Sequence, residues 1–295
     1  MKQSITVAIV TRNRAKNLEE CLRSLAHQTH TPGRIFIVDN ASSDDTQKII
    51  AKNLKNIPIR SVIERGTGYP IVYNRALREV KTRWVTFIDD DCIADARLFD
   101  ELTKATKKYY SCAAIIGASK NYYSTNPYAC TSKFWYDYWR RRSTKNKYIA
   151  DYRTLDSRNV VFNRRLLLKH NLAFDPAFIG GAEDSDLGLQ IQSKGQQASY
   201  VSRAIVYHKE PTSFISFFRK KRTYAVASRL LTKKWSQLKT QRVGFYDRFT
   251  LLHKVFRQTT KNLSLTGKIY ASTLIATDYL FSRLQLYEIL NWLTT

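Results

Sequence analysis

Residues Trp84 to Asp91 read WVTFIDDD, a short apolar run that leads directly into three carboxylates. The run has the length and composition of a strand buried on both faces, and in an open α/β sheet the carboxyl end of such a strand is where ligands bind. Three adjacent carboxylates repel one another, so a compensating cation is favoured. The stretch therefore predicts a divalent ion, Mg²⁺ or Mn²⁺, held together with a phosphorylated ligand. The alternative is a solvated acidic turn ahead of the helix that begins near Asp95.

Strand-like and helix-like patterns alternate on both sides of this stretch. The predicted strands cover residues 5–10, 34–38, 57–63, 84–88, 113–117, 154–162 and 198–207. After the first of them, apolar residues from Leu18 to Leu25 repeat at i, i+3, i+4 and i+7, as on the buried face of an amphipathic helix. Another helix opens at Glu183 and ends at Gly195. Short connections between such elements predict an α/β fold with a mostly parallel, doubly wound, Rossmann-like sheet.

Two regions depart from this rhythm. Residues 118–150 gather tyrosines, tryptophans and arginines, which suits either an aromatic packing insert or a lid that stacks on sugars and binds phosphate. Residues 211–295 have helical patterns with aromatic and basic side chains, suited either to an anionic bilayer interface or to a helical hairpin packed on the sheet. On a helical wheel, the basic residues after Phe214 do not keep to one side. We therefore divide the chain into an α/β domain, 1–210, and a helical region, 211–295.

The chain of 295 residues is strongly basic, since 49 Lys and Arg stand against 24 Asp and Glu, for a formal net charge of +25. Such a surplus indicates a polyanionic partner: nucleic acid, an anionic membrane surface or a phosphorylated substrate.

The four cysteines form no C-x-x-C pair, so we expect neither a disulfide framework nor a zinc site, and a reducing cytosol suits them. A strand-like run follows Met1–Ser4 directly, and the late apolar stretch 269–281 is short, so we expect neither a signal peptide nor a membrane-crossing segment.

Acidic and imidazole side chains fall at strand ends or at a helix start. Asp39 ends the second predicted strand, the triplet Asp89–Asp91 ends the fourth, and His208 follows the last. The acids of segment 183–186 open a helix, whose N-terminal field stabilises carboxylates. Strand ends of a parallel sheet share one edge, so we expect these groups to converge. Taken singly, His208 could be a structural strand-end histidine, Asp39 could cap the turn at Ser42, and the acids of 183–186 could serve the helix alone.

Four segments of the chain resemble motifs of the inverting glycosyltransferases of family 2, whose fold is called GT-A. They are 7–14 (VAIVTRNR), 37–44 (IVDNASSD), the triplet Asp89–Asp91 and 183–186 (EDSD). Each motif is weak alone, but the four in this order at these spacings are specific. The resemblance covers residues 5–208 and implies a GT-A sheet that binds a nucleotide sugar; the helical region that follows is predicted from its own pattern.

The resemblance also implies a role for individual residues. Asp91 would coordinate a divalent metal, Mn²⁺ or Mg²⁺, and His208 would complete the metal shell. Asp184 would be the catalytic base, while Glu183 and Asp186 would support the acceptor pocket or the helix start. The nucleotide sugar would be bound by Thr11, Arg14, Asp39, Arg65, Asn74, Asp89 and Asp90. Among these, Asp39 would accept a hydrogen bond from the nucleotide base, and Asp89 would lie near the ribose or the donor sugar.

These residue types suit sugar transfer from a nucleoside diphosphate. A metal neutralises the leaving diphosphate, one carboxylate takes the acceptor proton, and a base on the far face gives inversion. We therefore expect an inverting, metal-dependent glycosyltransferase that acts on a hydroxyl of a glycan or lipid-linked acceptor in bacterial surface polysaccharide or lipopolysaccharide synthesis. We expect it in the cytoplasm, peripheral on the cytoplasmic face of the membrane, with an anionic membrane surface as a further partner.

Two alternatives remain open. A nucleotidyltransferase also uses carboxylates and metal on an α/β sheet, but no Gly-rich, Lys-containing triphosphate loop follows the first predicted strand. A nucleic-acid-binding protein would use the positive charge and would show a steep salt dependence of duplex affinity. It leaves the carboxylates unexplained, since acids repel phosphates when no metal intervenes, so no nucleic acid partner is expected.

Overall fold

A computed structural model describes residues 5–53, 58–145, 148–149, 152–237 and 245–284. The expectation about Met1–Ser4 and the part of the helical prediction that follows Leu284 lie outside the described residues. The strands are β1 Ile5–Thr11, β2 Arg34–Asp39, β3 Ile59–Ile63, β4 Trp84–Ile88, β5 Cys92–Ala94, β6 Ala114–Asn121, β7 Thr144–Lys145, β8 Tyr148–Ile149, β9 Asn159–Asn163 and β10 Ala198–His208. The helices are α1 Ala15–Ala26, α2 Thr46–Asn53, α3 Tyr69–Glu79, α4 Leu98–Lys108, α5 Pro127–Ser143, α6 Arg164–Lys169, α7 Glu183–Ser193, α8 Phe214–Lys234, α9 Phe245–Thr259 and α10 Leu265–Leu284.

The described strands form one sheet in the order β3-β2-β1-β4-β9-β6-β10-β8-β7, with β5 paired to β10. The first four run parallel: β1 lies between β2 and β4, and β3 lies beside β2. β9 then runs antiparallel to both β4 and β6. The α/β prediction is confirmed, and the sheet is mixed because β9 and the pairs of β10 with β5 and β8 are antiparallel.

The strands at the centre of the sheet are buried on both faces, which explains their continuous apolar sequences. Val7 of β1 packs on one face, in the same core as Leu18 and Leu25 of α1. Ala8 packs on the other face, in the same core as Val72 of α3. The helical spacing between Leu18 and Leu25 therefore predicted the buried face of α1 correctly.

Polar side chains come together where the central strands end. Thr11 ends β1 and is in register with Asp39, which ends β2. Asp89 follows β4 directly. His208 ends β10 and pairs with Cys92 of β5, the residue that follows the acidic triplet. Because β5 turns back antiparallel to β10, the histidine is carried to the end of β4.

The prediction of a strand at 154–162 is wrong in its first half. Tyr152–Thr154 form a 3₁₀ turn, and β9 begins only at Asn159. Between them, an Asp156 side-chain oxygen accepts a hydrogen bond from the backbone N–H of Arg158 at 3.2 Å. An aspartate that bonds to the backbone two residues later favours a turn over extended chain.

The chain divides into two compact units. The first takes in Met1–Lys120, Lys145–Ile179 and Glu183–His208. The second takes in Asn121–Thr144, Gly180–Ala182 and Lys209–Thr295. Helix α5, from the aromatic insert, thus shares a unit with α8, α9 and α10. The expected division after residue 210 stays a prediction.

Within the second unit, α5 packs on the C-terminal helices. Its Phe134 and Tyr138 lie in one apolar cluster with Val255 of α9. These contacts favour the packing interpretation of the insert 118–150. In the described part of the chain, no helix is both long enough and apolar enough to cross a membrane. The four cysteines are free thiols, and each is buried.

A close approach between α7 and the 3₁₀ turn gives a test of this packing. A Cβ at Gly188 would overlap the carbonyl oxygen of Tyr152. Replacing Gly188 by Ala should therefore lower the free energy of unfolding by about 1–3 kcal/mol, the usual cost of overpacking. The exposed change Ser193→Ala, near the end of the same helix, should stay within about 0.5 kcal/mol. Denaturant titration measures both, and equal stability of the two variants would contradict the packing.

Candidate active site

The carboxylates after β4 have different partners. Asp90 accepts hydrogen bonds from the Thr11 hydroxyl at 2.7 Å and from Arg14 Nη1 at 3.0 Å. Burial raises the pKa of Asp90 to about 6, although the charge of Arg14 opposes the rise. The same Arg14 nitrogen lies 2.8 Å from Oδ2 of Asp91, and Nε2 of His208 lies 3.2 Å from Oδ1 of Asp91. One arginine from the loop after β1 and one histidine from β10 therefore face this pair of acids.

The negative charge of Asp89 is compensated less well than the charges of Asp90 and Asp91. Its Oδ1 accepts a hydrogen bond from the neutral Tyr73 hydroxyl at 3.2 Å. Burial, and then the charge of Asp91, raise the pKa of Asp89 to about 7. Burial also acts to raise the pKa of Asp91, but His208 and Arg14 outweigh it and hold that pKa below its usual range.

Three side chains at this point could hold a metal ion. Asp89, Asp91 and His208 each offer a ligand atom, and these atoms lie within 4.8 Å of one another. Carboxylate oxygens suit Mg²⁺ and Mn²⁺, and an imidazole nitrogen is a further ligand for a transition metal. A bound cation would also relieve the repulsion that raises the pKa of Asp89. The donor set therefore fits a divalent metal.

Asp184 lies in the first turn of α7, where it meets backbone N–H groups. It accepts hydrogen bonds from the N–H of Ser185 at 2.6 Å and from the N–H of Ser157 at 3.3 Å. Burial, and then the charge of Asp156, raise its pKa to about 6, while the two hydrogen bonds and Arg158 oppose the rise. Asp184 is thus ionised at neutral pH yet holds a proton more firmly than an exposed aspartate.

The other acids of α7 are buried as well. Glu183 is 6% exposed, and burial followed by the charge of Asp184 raises its pKa well above the usual value. Asp186 is buried and accepts a hydrogen bond from Gln190 Nε2 at 2.7 Å, inside the helix. Asp89 is among the charges that raise the pKa of Glu183. The acids of α7 and those after β4 therefore belong to one electrostatic cluster.

The turn before β9 supplies residues that the sequence prediction missed. Arg158 donates from Nε to Asp156 Oδ1 at 2.8 Å, and its Nη1 lies 3.5 Å from Nδ1 of His208. The side chains of Arg158 and Asp156 are both mostly buried. The signal available in the sequence was the polar run 156–158, which interrupts the strand predicted there.

Tyr73 and Ser157 each contact one of the two groups of acids. Tyr73 of α3 is buried, and its hydroxyl donates to Asp89. The N–H of Ser157 donates to Asp184. Hydrogen bonds therefore hold an acid at the end of β4 and an acid in the first turn of α7.

Three further predicted nucleotide-binding residues have other surroundings. Asp39 is buried and accepts hydrogen bonds from the N–H of Ser42 at 3.1 Å and from its hydroxyl, so it caps that turn. Asn74 donates to the carbonyl of Phe174 at 2.7 Å and accepts from its N–H at 3.0 Å. Arg65 is exposed. Binding of a nucleotide sugar by these residues stays a prediction.

A comparison with models of protein families shows which family the chain belongs to. The model of the family described as glycosyl transferase family 2 matches residues 6–169, which is more than half of the chain. The chain belongs to glycosyl transferase family 2. The family expected from the four motifs is therefore confirmed.

Curated relatives of this family 2 chain are distant. The O-antigen chain rhamnosyltransferase WbaN of Salmonella anatum is 24% identical over 214 residues, which cover 70% of this chain and 66% of that protein. A teichoic acid poly(glycerol phosphate) polymerase of Staphylococcus epidermidis is 21% identical over 175 residues, which cover 58% of this chain and 23% of that protein. The chain thus spans less than two thirds of the length of these relatives.

Solved structures support the fold of this family 2 chain. The mannosyltransferase PcManGT of Pyrobaculum calidifontis, in complex with GDP-Man and Mn²⁺, has a TM-score of 0.62 at 18% identity and covers 98% of this chain and 83% of that one. Residues 1–349 of S. aureus TarS, in complex with UDP-GlcNAc, give 0.58 at 16% identity, covering 97% and 91%. Likeness at such identities shows the fold alone, and the expected GT-A fold is confirmed.

The raised pKa of Asp89 predicts how a variant changes stability with pH. Its carboxyl group has a pKa near 3.9 in an unfolded chain and of about 7 in the folded one. Above about pH 7 its negative charge therefore destabilises the folded protein, and below about pH 4 it is neutral in both states and has no effect. Asp89→Asn should therefore raise the Tm of the metal-free protein at about pH 8, and the gain should shrink toward about pH 4. Thermal unfolding in a chelator measures the difference.

A matched control is Asp45→Asn, which removes an exposed carboxylate from a surface ion pair with Lys48. Such an exposed pair is screened by water and contributes little, so this variant should show little of the pH-dependent gain. A Tm of Asp89→Asn below that of the wild type at alkaline pH would contradict the assignment.

Proposed function

We propose that this chain is an inverting, divalent-metal-dependent glycosyltransferase that moves a sugar from a nucleoside-diphosphate sugar to a hydroxyl of a glycan or lipid-linked acceptor. The observation that carries the proposal is the cluster formed by Asp89, Asp91 and His208, together with an ionised Asp184 in the first turn of α7. Family membership and relatives named for O-antigen and teichoic acid synthesis support a role in bacterial surface polysaccharide synthesis.

In this proposal, Asp91, His208 and Asp89 hold Mn²⁺ or Mg²⁺. The metal would neutralise the negative charge that develops on the departing diphosphate. The donor set and its spacing support the assignment, and a mannosyltransferase of similar fold has been solved with Mn²⁺.

The residues around the metal position would bind and orient the donor. Arg14 carries a positive charge beside Asp90 and Asp91, where a diphosphate would approach, and Thr11 fixes Asp90 through a hydrogen bond. Asp90 accepts hydrogen bonds from these two partners and is buried, so it would shape the site around the donor. Arg14 would contribute to donor binding through its charge, and Asp90 by holding Arg14 in place.

Asp184 would take the proton from the acceptor hydroxyl as that oxygen attacks the sugar. A base needs a pKa below the working pH but high enough to accept a proton, and a pKa of about 6 meets both conditions. A single carboxylate acting on the face opposite the leaving group gives inversion in one displacement. Glu183 and Asp186 would hold the first turn of α7 and the acceptor side of the site.

The site of action follows from the substrates. Nucleotide sugars and lipid-linked acceptors meet at the cytoplasmic face of a bacterial membrane, so we place the enzyme there, as a peripheral protein. A nucleotidyltransferase on the same sheet would release pyrophosphate, whereas sugar transfer releases a nucleoside diphosphate, so product analysis distinguishes them.

Asp184→Asn tests the assignment of the base. We expect turnover to fall about 10²–10⁴-fold, the usual contribution of a general base, while donor affinity stays within a few-fold of the wild type. Single-turnover kinetics with a radiolabelled donor measures the first quantity, and calorimetry with the donor and Mn²⁺ measures the second. The exposed Asp45→Asn should match the wild type in both. Retained turnover in Asp184→Asn would move the base to another residue.

A thermal-shift screen of nucleotide sugars, with and without Mn²⁺, tests the function itself. A ligand at about 100 times its Kd stabilises the folded protein by about 2.7 kcal/mol, so the true donor should raise the Tm when Mn²⁺ is present. Asp91→Asn should lose most of the Mn²⁺-dependent part of that shift. The proposal fails if no nucleotide sugar raises the Tm, or if the shift is unchanged when Mn²⁺ is replaced by a chelator.

A further inference from the structure

Helix α8 has an unusual charge composition. Its 21 residues, FISFFRKKRTYAVASRLLTKK, include no acidic residue. Its seven basic residues are Arg219, Lys220, Lys221, Arg222, Arg229, Lys233 and Lys234. Taken together they surround the helix, so the sequence alone indicates no basic face.

Two of these lysines are neutralised inside the second unit. Lys220 Nζ lies 2.8 Å from Glu210, whose side chain is 1% exposed, and Lys221 Nζ lies 2.6 Å from Asp278 of α10, whose side chain is 2% exposed. Such buried pairs are held because breaking either one would leave a buried charge without compensation. These two lysines therefore do not contribute to the charge that α8 presents outward.

Four other basic residues of α8 fall on one side of the helix, together with apolar neighbours. Two of them flank the lysine pair in sequence, and two lie nearer the C-terminal end of the helix. Counting from Ile215, the positions i, i+4, i+7, i+11, i+14, i+15 and i+18 lie within an arc of about 100° on a helix of 3.6 residues per turn. We call this side the α8 face; its members are Ile215, Arg219, Arg222, Val226, Arg229, Leu230 and Lys233.

Exposure agrees with this geometry. Ile215 and Val226 are each 54% exposed and Leu230 is 37% exposed, which is high for branched apolar side chains. The opposite side of the helix buries Phe217 and Leu231. Arg219, Arg229 and Lys233 are exposed as well, and Arg222 is half-buried. The α8 face is thus a mostly exposed row that mixes apolar and cationic side chains.

We propose that the α8 face docks on the surface of an anionic lipid bilayer. Cations near such a surface each contribute about 1 kcal/mol of attraction, and apolar side chains among them can enter the boundary between headgroups and acyl chains. A soluble polyanion would use the cations but would leave Ile215, Val226 and Leu230 in water. A second copy of the chain is disfavoured, since a two-fold interface would set this acid-free row against itself.

This inference names a surface of the second unit and does not depend on sugar transfer. It goes beyond the expectation of a basic, aromatic C-terminal region, because it states which residues face the lipid and which basic residues do not. It therefore stands or falls separately from the proposed enzyme activity, whose thermal-shift and calorimetric tests use no vesicles.

The experiment is flotation of the full chain with vesicles of phosphatidylcholine alone or mixed with phosphatidylglycerol. We expect binding to the anionic vesicles only, weakening as salt is raised. Reversing two charges of the face, Arg219→Glu with Lys233→Glu, should lower the vesicle partition coefficient at least about 25-fold. Removing two apolar members, Ile215→Ser with Val226→Ser, should also lower it but should leave its salt dependence unchanged.

The matched control reverses two exposed lysines of the first unit, Lys16→Glu with Lys107→Glu, which alters net charge equally. It should bind like the wild type, and circular dichroism should show equal helix content for all variants. If vesicle binding fell as much in this control, the effect would come from net charge alone, and the proposal would be overturned. So would wild-type binding to neutral vesicles, dimerisation that is lost in the Ile215→Ser and Val226→Ser variant, or undiminished vesicle binding in that variant.

Discussion

Charge compensation at the end of β4 is the constraint on which the rest of the site depends. Asp90 and Asp91 gain a positive partner in Arg14, and Asp91 also faces His208. At about 4 Å, such an attraction is worth about 1 kcal/mol in water and about 4 kcal/mol at the lower effective dielectric near a protein surface. These partners come from the loop after β1 and from the end of β10, so the acids are tolerated only where those strands end beside β4.

The compensation of these charges is incomplete at Asp89. Asp89 meets the neutral hydroxyl of Tyr73, and its pKa is raised accordingly, whereas Asp91 beside two basic groups has a lowered pKa. Two carboxylates of such different proton affinity, with only Asp90 between them in sequence, leave a deficit of positive charge that a divalent cation would offset. The buried Glu183 adds to that deficit from the side of α7.

The fold could largely be predicted because strand runs and the buried side of α1 depend on residues within one element. The turn that carries Asp156 and Arg158 could not, since its place depends on β9 running antiparallel between β4 and β6, a pairing made by tertiary contacts. The α8 face was hidden for a similar reason. Lys220 and Lys221 obscure it in a helical wheel, and their acidic partners are identified only by the folded chain.

The ion pair of Lys221 with Asp278 also fixes the rotation of α8 about its own axis. Turning α8 by one residue about its own axis, roughly 100°, would swing the ammonium group out of reach of the buried carboxylate. An apolar pair of equal volume could stabilise the same bundle as well or better, but it would define that angle less sharply. Replacing the pair by apolar residues would therefore be expected to define less sharply which side chains of α8 point outward.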